Sequence, residues 1–153
     1  MTILKCIEKQ FKSSVRKTCS DAGCTLKLND LTDHIVLKGE EIFKGKPICD
    51  CIIFVKGSKL LAGVVELKSK TVDVSQVRLQ LANGLKFVFE TLKKCSIGSK
   101  PEPIKCYVIV LAKKWRKSEF NVIKNRKIEF QGKKYFILPK RCGTSLSDII
   151  SKF

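Results

Sequence analysis

Three apolar runs constrain this chain more than any other feature. Residues 48–55, 60–67 and 104–112 are eight or nine residues long and carry very few polar side chains. That is strand length, far short of the roughly 18 residues that mark a membrane span. Strands covered on both faces read as near-continuous apolar runs, whereas half-exposed strands alternate. A central sheet with layers on both sides is therefore expected. Between the first two runs lies Lys56-Gly57-Ser58-Lys59, a hairpin turn by composition. Each of those two runs holds a single acid, Asp50 in one and Glu66 in the other.

The flanking pattern supplies the other elements. Ile3, Ile7, Phe11 and Val15 recur every four residues and predict an amphipathic helix that ends by Cys19 to Gly23. Short strands are expected at 25–28 and 34–37, with a basic connection over 39–47. Asp73 reads as a helix N-cap with Gln76 at the capping-box position, and Val77, Leu81, Leu85, Val88 and Leu92 form the apolar stripe of a helix running to about Lys94. Gly84 inside that helix costs roughly 1 kcal/mol relative to Ala, which suggests close packing there. Residues 96–103 read as a loop, 127–130 and 135–138 as a hairpin, and Thr144 or Ser145 as the cap of a short last helix. No repeat or linker interrupts the 153 residues, so one domain over 1–153 is expected. Its fold class is α/β (α+β): a central mixed sheet flanked by helices.

Lys and Arg total 31 against 14 Asp and Glu, a net charge of +17. Such an excess points to a polyanionic partner, most simply nucleic acid. The hydrophobic fraction of 44% argues against disorder. Charges break the first nine residues, so no signal peptide is expected and the reading is an intracellular, cytoplasmic protein with no membrane attachment. Eight Cys fall below the roughly 8–10% typical of disulfide scaffolds. Most are expected to be reduced and buried. Cys19 and Cys24 flank a turn and could pair in a hyperthermophile protein. Their spacing and that of Cys49 and Cys51 do not match zinc knuckles.

A lone carboxylate in an apolar strand costs several kcal/mol unless it is paired. Strand side chains alternate faces, so Glu66 and Lys68 share one face. The tight turn brings Asp50 beside Glu66. Two adjacent carboxylates repel unless a cation lies between them, and an oxygen-rich pair suits Mg²⁺ or Mn²⁺. A structural ion pair of Glu66 with Lys68 or Arg78 is the plainer alternative. Asp/Glu-x-Lys occurs only at Glu66, where about two copies are expected by chance, so its position carries the argument.

Pro47-Ile48-Cys49-Asp50, a hairpin and then Glu66-Leu67-Lys68 resemble the PD-(D/E)XK nuclease superfamily. Two residues separate Pro47 from Asp50, a departure from the adjacent pair of the motif. The resemblance covers about residues 3 to 112. It implies a restriction-endonuclease-like core of order α-β-β-β-α-β, here followed by a C-terminal hairpin and short helix. It implies that Asp50, Glu66 and the backbone carbonyl of Leu67 bind Mg²⁺ or Mn²⁺, with Glu8 of the first helix as a further ligand. Lys68 would hold the attacking water or developing charge, and Gln80, or Gln76 one turn earlier, would assist. The implied activity is that of a metal-dependent DNA endonuclease, similar to an archaeal Holliday junction resolvase or a minimal restriction enzyme, and commonly a homodimer.

Lys113, Lys114, Arg116, Lys117 and Arg126 belong to a basic C-terminal third with only Glu119, Glu129 and Asp148 as acids. They are the candidate nucleic-acid contacts. Trp115 among them would stack on a base or cover the edge of the core. His34, the one His, reads as a surface residue. The alternative function is a non-catalytic nucleic-acid-binding protein with a nuclease-like or other α/β fold.

Overall fold

The computed structural model describes residues 2–69, 73–96 and 103–151. It is an α+β fold with a mixed seven-stranded sheet. Most of the expected loop 96–103 lies outside the described residues. Helix α1 (Ile3–Gln10) starts at Thr2, whose hydroxyl accepts the Lys5 N–H, and it buries Ile3 and Ile7. A 3-10 turn (Lys12–Ser14) follows. The expected helix is therefore shorter than its apolar period, because Val15 leaves it to pair with a strand. Strand β1 (Val15–Arg16) lies antiparallel to β4 (Asp33–Lys38). Between them, β2 (Cys19–Asp21) and β3 (Cys24–Leu26) form a separate hairpin, where the sequence suggested only a helix end and one strand. The expected connection after β4 contains the short helix α2 (Gly39–Ile42).

The two acid-bearing runs become β5 (Cys51–Lys56) and β6 (Leu60–Lys68), antiparallel with Cys51 opposite Val65. Asp50 stands one residue before β5 and not inside it. Helix α3 (Val74–Cys95) begins where the sequence places it, with the Asp73 carboxylate accepting the Gln76 N–H at 3.3 Å. It carries the chain to β7 (Ile104–Ala112), parallel to β6. The remaining elements are α4 (Lys117–Asn125), β8 (Lys127–Phe130), β9 (Lys133–Arg141) and α5 (Leu146–Ser151). Helix α4 was not anticipated. Strand β9 lies parallel to β7 and antiparallel to β8, so the sheet order is β1-β4-β5-β6-β7-β9-β8.

The alternation of side chains sorts the core into two layers. Ile52, Phe54, Ala62 and Val64 face α1 and α3, packing with Ile7, Leu81, Leu85 and Val88. Ile53, Val55, Val65 and Leu67 face the β2–β3 hairpin and α5, packing with Leu26, Leu146 and Ile149. Gly84 is the point of closest approach of α3 to the sheet. A Cβ there would lie 2.5 Å from Val64 Cγ1 and 2.8 Å from Cys49 Sγ.

The cysteines depart from expectation. Six of the eight form three bridges, Cys6–Cys95, Cys19–Cys51 and Cys24–Cys142, leaving Cys49 and Cys106 free. Cys19 and Cys24 do not pair with each other, because the two strands of their hairpin are each tied to a different partner in the main body. A two-stranded hairpin is marginal on its own; these bridges fix it to the β5 end and to the segment after β9. Burial pushes the Cys106 thiol up to about 12. Burial, and the charges of Glu66 and Asp50, push Cys49 further up. Among the described residues no helix is long and apolar enough to cross a membrane.

Candidate active site

Strand register builds the site. Continuing the β5–β6 pairing by one residue sets Asp50 opposite Glu66. The chain reaches Asp50 through a tight crossing. Gly39 donates its N–H to the Asp50 carbonyl at 2.9 Å, and any Cβ on Gly39 would run into the Cys49 carbonyl. The side-chain amide of Asn83 on α3 donates to the Pro47 carbonyl and anchors the segment that leads in.

Two hydrogen bonds lock the carboxyls to the backbone of each other's strand. The Asp50 N–H donates to Glu66 Oε1 at 3.1 Å, and the Leu67 N–H donates to Asp50 Oδ2 at 2.7 Å. Lys68 Nζ lies 2.8 Å from Glu66 Oε2. Glu66 is only 2% exposed and is the one buried charged side chain among the described residues. Its burial, and the charge of Asp50 beside it, raise its pKa to about 8. Burial also raises Asp50, opposed by its hydrogen bond to Glu66. A carboxyl pair of this kind holds a proton near neutrality and would release it to a cation.

Asp50 opens into a cavity of about 450 Å³ that Gln80 also lines. The Gln80 Oε1 atom is buried and accepts no hydrogen bond. Asp21 of the β2–β3 hairpin and Glu40 of α2 line the same cavity. Sequence reasoning missed both, since each sits in a short polar segment with no apolar pattern to mark it. Glu40 is held by Lys38 at 2.8 Å. Glu8 is not brought to the pair: it is exposed on α1 and lines a different groove with Val15, Asp33 and Lys56. Gln76 is exposed, its N–H taken by the Asp73 cap. Among the described residues no group of three or more His, Cys, Asp or Glu is gathered as a metal cluster.

The basic candidates are exposed and divide by position. Lys113 and Lys114 follow β7 directly, and the Lys113 N–H donates to the Lys68 carbonyl at 3.3 Å. Arg116 and Lys117 begin α4. Arg126 precedes β8 and meets Ile137 in mid-sheet, about 13 Å along β9 from Arg141 at a strand rise of about 3.3 Å. Trp115 covers the edge of the core: its indole N–H donates to the Lys140 carbonyl at 2.7 Å and its ring packs edge-on against Phe120.

No family model matches the chain, and neither does any curated protein or solved structure. Its chemistry is therefore read from the site itself. Paired oxygen ligands, an ammonium beside one of them and a polar cavity leading away could bind a hard divalent cation and orient a water.

Proposed function

We propose that this protein is a metal-dependent nuclease that hydrolyses phosphodiester bonds in DNA. The observation that carries the reading is the meeting of Asp50 and Glu66 with Lys68 at 2.8 Å from Glu66. An ion pair alone would need one acid, and a pure nucleic-acid binder gains nothing from a buried carboxylate pair that repels phosphate. The order α1, β4, β5, β6, α3, β7, with three antiparallel strands and then a parallel one, supports a restriction-endonuclease-like core.

The residues present fit Mg²⁺ or Mn²⁺. Both acids are oxygen donors with raised proton affinity, and Gln80 Oε1 is an orphaned acceptor on the same cavity. Asp50, Glu66 and the Leu67 carbonyl would hold the ion, with water completing its shell. Bound there, it supplies a water of lowered pKa and neutralises charge on the scissile phosphate. Lys68 then holds the attacking water or the developing charge, and the exposed lysines after β7 hold the flanking backbone. A homodimer would present two such sites to the two strands of a duplex. In an intracellular setting the three bridges suit a hyperthermophile, whose cytoplasmic proteins keep disulfides.

In the competing reading, a non-catalytic nucleic-acid binder, Lys68 is the structural partner of Glu66 and no cation enters the site. One assay separates them. Supercoiled, linear and branched DNA are incubated with wild type, Asp50→Asn and Lys68→Ala, in Mg²⁺ or EDTA. Cleavage by wild type in Mg²⁺ alone is expected, with losses of at least about a hundredfold in both variants. Identical products from all three proteins would end the nuclease reading.

A further inference from the structure

Positive charge flanks the acid pair on both sides of the sheet's end. Strands β6, β7 and β9 finish level, with Lys68, Ala112 and Arg141 in one row. Lys113 follows that row and is exposed. This is the flank within the basic C-terminal third. The other flank comes from the N-terminal half. Across β5 and β4, the cavity that Asp50 opens into is lined by Arg16, Lys17, Lys38 and Lys46.

These four cations are not equivalent. Arg16 and Lys38 are engaged by Glu41 at 3.9 Å and Glu40 at 2.8 Å. Lys17 and Lys46 are exposed and form no ion pair with a carboxylate among the described residues. Their placement is built. Lys17 lies two residues before Cys19, whose bridge to Cys51 holds the segment beside Asp50. Lys46 immediately precedes Pro47, which Asn83 anchors, and its ammonium sits 5.6 Å from the Phe43 ring centroid.

Neighbouring strands are about 4.8 Å apart, so the row from β4 to β9 spans about 19 Å, long enough for several consecutive phosphates. Cations on one side only would hold a strand by its end. Cations on both sides hold a strand that runs through, past the acid pair and the Asp21 carboxylate on the same cavity, while Glu40 there is paired with Lys38. We propose that a nucleic-acid strand crosses the acid pair and continues into the cavity beside the β2–β3 hairpin, where Lys17 and Lys46 hold phosphates on the side opposite Lys113 and Arg141. The proposal rests on the nuclease reading and deepens it, because a strand held on both sides is cut internally.

The test is fluorescence anisotropy with a labelled DNA duplex in EDTA, where nothing is cleaved. K17E/K46E is compared with K93E/K94E, an equal charge change on exposed positions at the far end of α3. K17E/K46E should weaken binding at least about tenfold and K93E/K94E less than about threefold. The milder K17A/K46A should lower the salt dependence of log Kd by about two. Thermal melting should show every variant folded at the assay temperature; K93E/K94E, which puts carboxylates in the last turn of α3, is expected to melt slightly below wild type. Equal weakening by the two charge reversals overturns the proposal. If K17E/K46E binds poorly but wild type never cleaves in Mg²⁺, the path stands and the nuclease reading falls. If wild type cleaves but K17E/K46E binds normally, the path falls and the nuclease reading stands.

Discussion

Glu66→Gln should flatten the pH dependence of stability. Glu66 binds its proton with a pKa of about 8 in the fold, against 4.5 for an ordinary glutamate. Below about pH 4.5 the folded and unfolded chains both hold that proton, and the group contributes no difference. As pH rises from there to about 8, the unfolded chain releases the proton and the fold keeps it, so stability falls; above about 8 the loss is complete. Each pH unit inside the window costs about 1.4 kcal/mol, so wild type should lose about 2–3 kcal/mol between pH 5 and pH 7 from this group. Gln has the same size and cannot ionise, so the variant should lack that slope. The assay is urea unfolding in EDTA at pH 5, 6, 7 and 8, extrapolated linearly to water. Mg²⁺ should stabilise wild type more at pH 8 than at pH 6, because it binds the ionised pair, and should do little for the variant. Parallel wild-type and variant curves would show that Glu66 is not the proton-holding group the geometry makes it.

Four further outcomes are expected. Denatured without reductant, the chain should expose two titratable thiols, Cys49 and Cys106, out of eight cysteines; a count of eight would deny the bridges. Full reduction should lower the melting temperature markedly, since each bridge contributes about 2–4 kcal/mol. Gly84→Ala places a Cβ against Val64 and Cys49, so overpacking of about 1–3 kcal/mol should outweigh the roughly 1 kcal/mol of added helix propensity, and a higher melting point would contradict the close contact. Asp73→Ala removes the cap on the Gln76 N–H and should cost about 1 kcal/mol by denaturant titration, with unchanged salt dependence of DNA binding.

Features set by neighbours in the chain were legible early. Asp73 starts α3 because its side chain reaches a backbone N–H three residues on, and β7 spans 104–112 because a nine-residue apolar run rich in Ile, Val and Tyr favours a buried strand. The pairing of Glu66 with Lys68 follows from the two-residue period of a strand. The approach of Asp50 to Glu66 follows from the short turn joining β5 to β6.

What needed the tertiary structure was whatever depends on chain crossing. Val15 has the period of α1 but lies on β1, because hydrogen bonds to β4 win over helical spacing. Glu8 shares a helix face by pattern, yet the angle at which α1 meets the sheet sends it to another groove. Cys19 and Cys24 are near in sequence and find Cys51 and Cys142 only once their hairpin folds onto the sheet. Asp21, Lys17 and Lys46 reach the cavity by the same crossing, and no periodicity marks them. Hydrogen-bonding and rotamer preferences act over a few residues and are written locally. Which local pieces meet is decided by how the two apolar faces of one sheet are covered, and that depends on the whole chain at once.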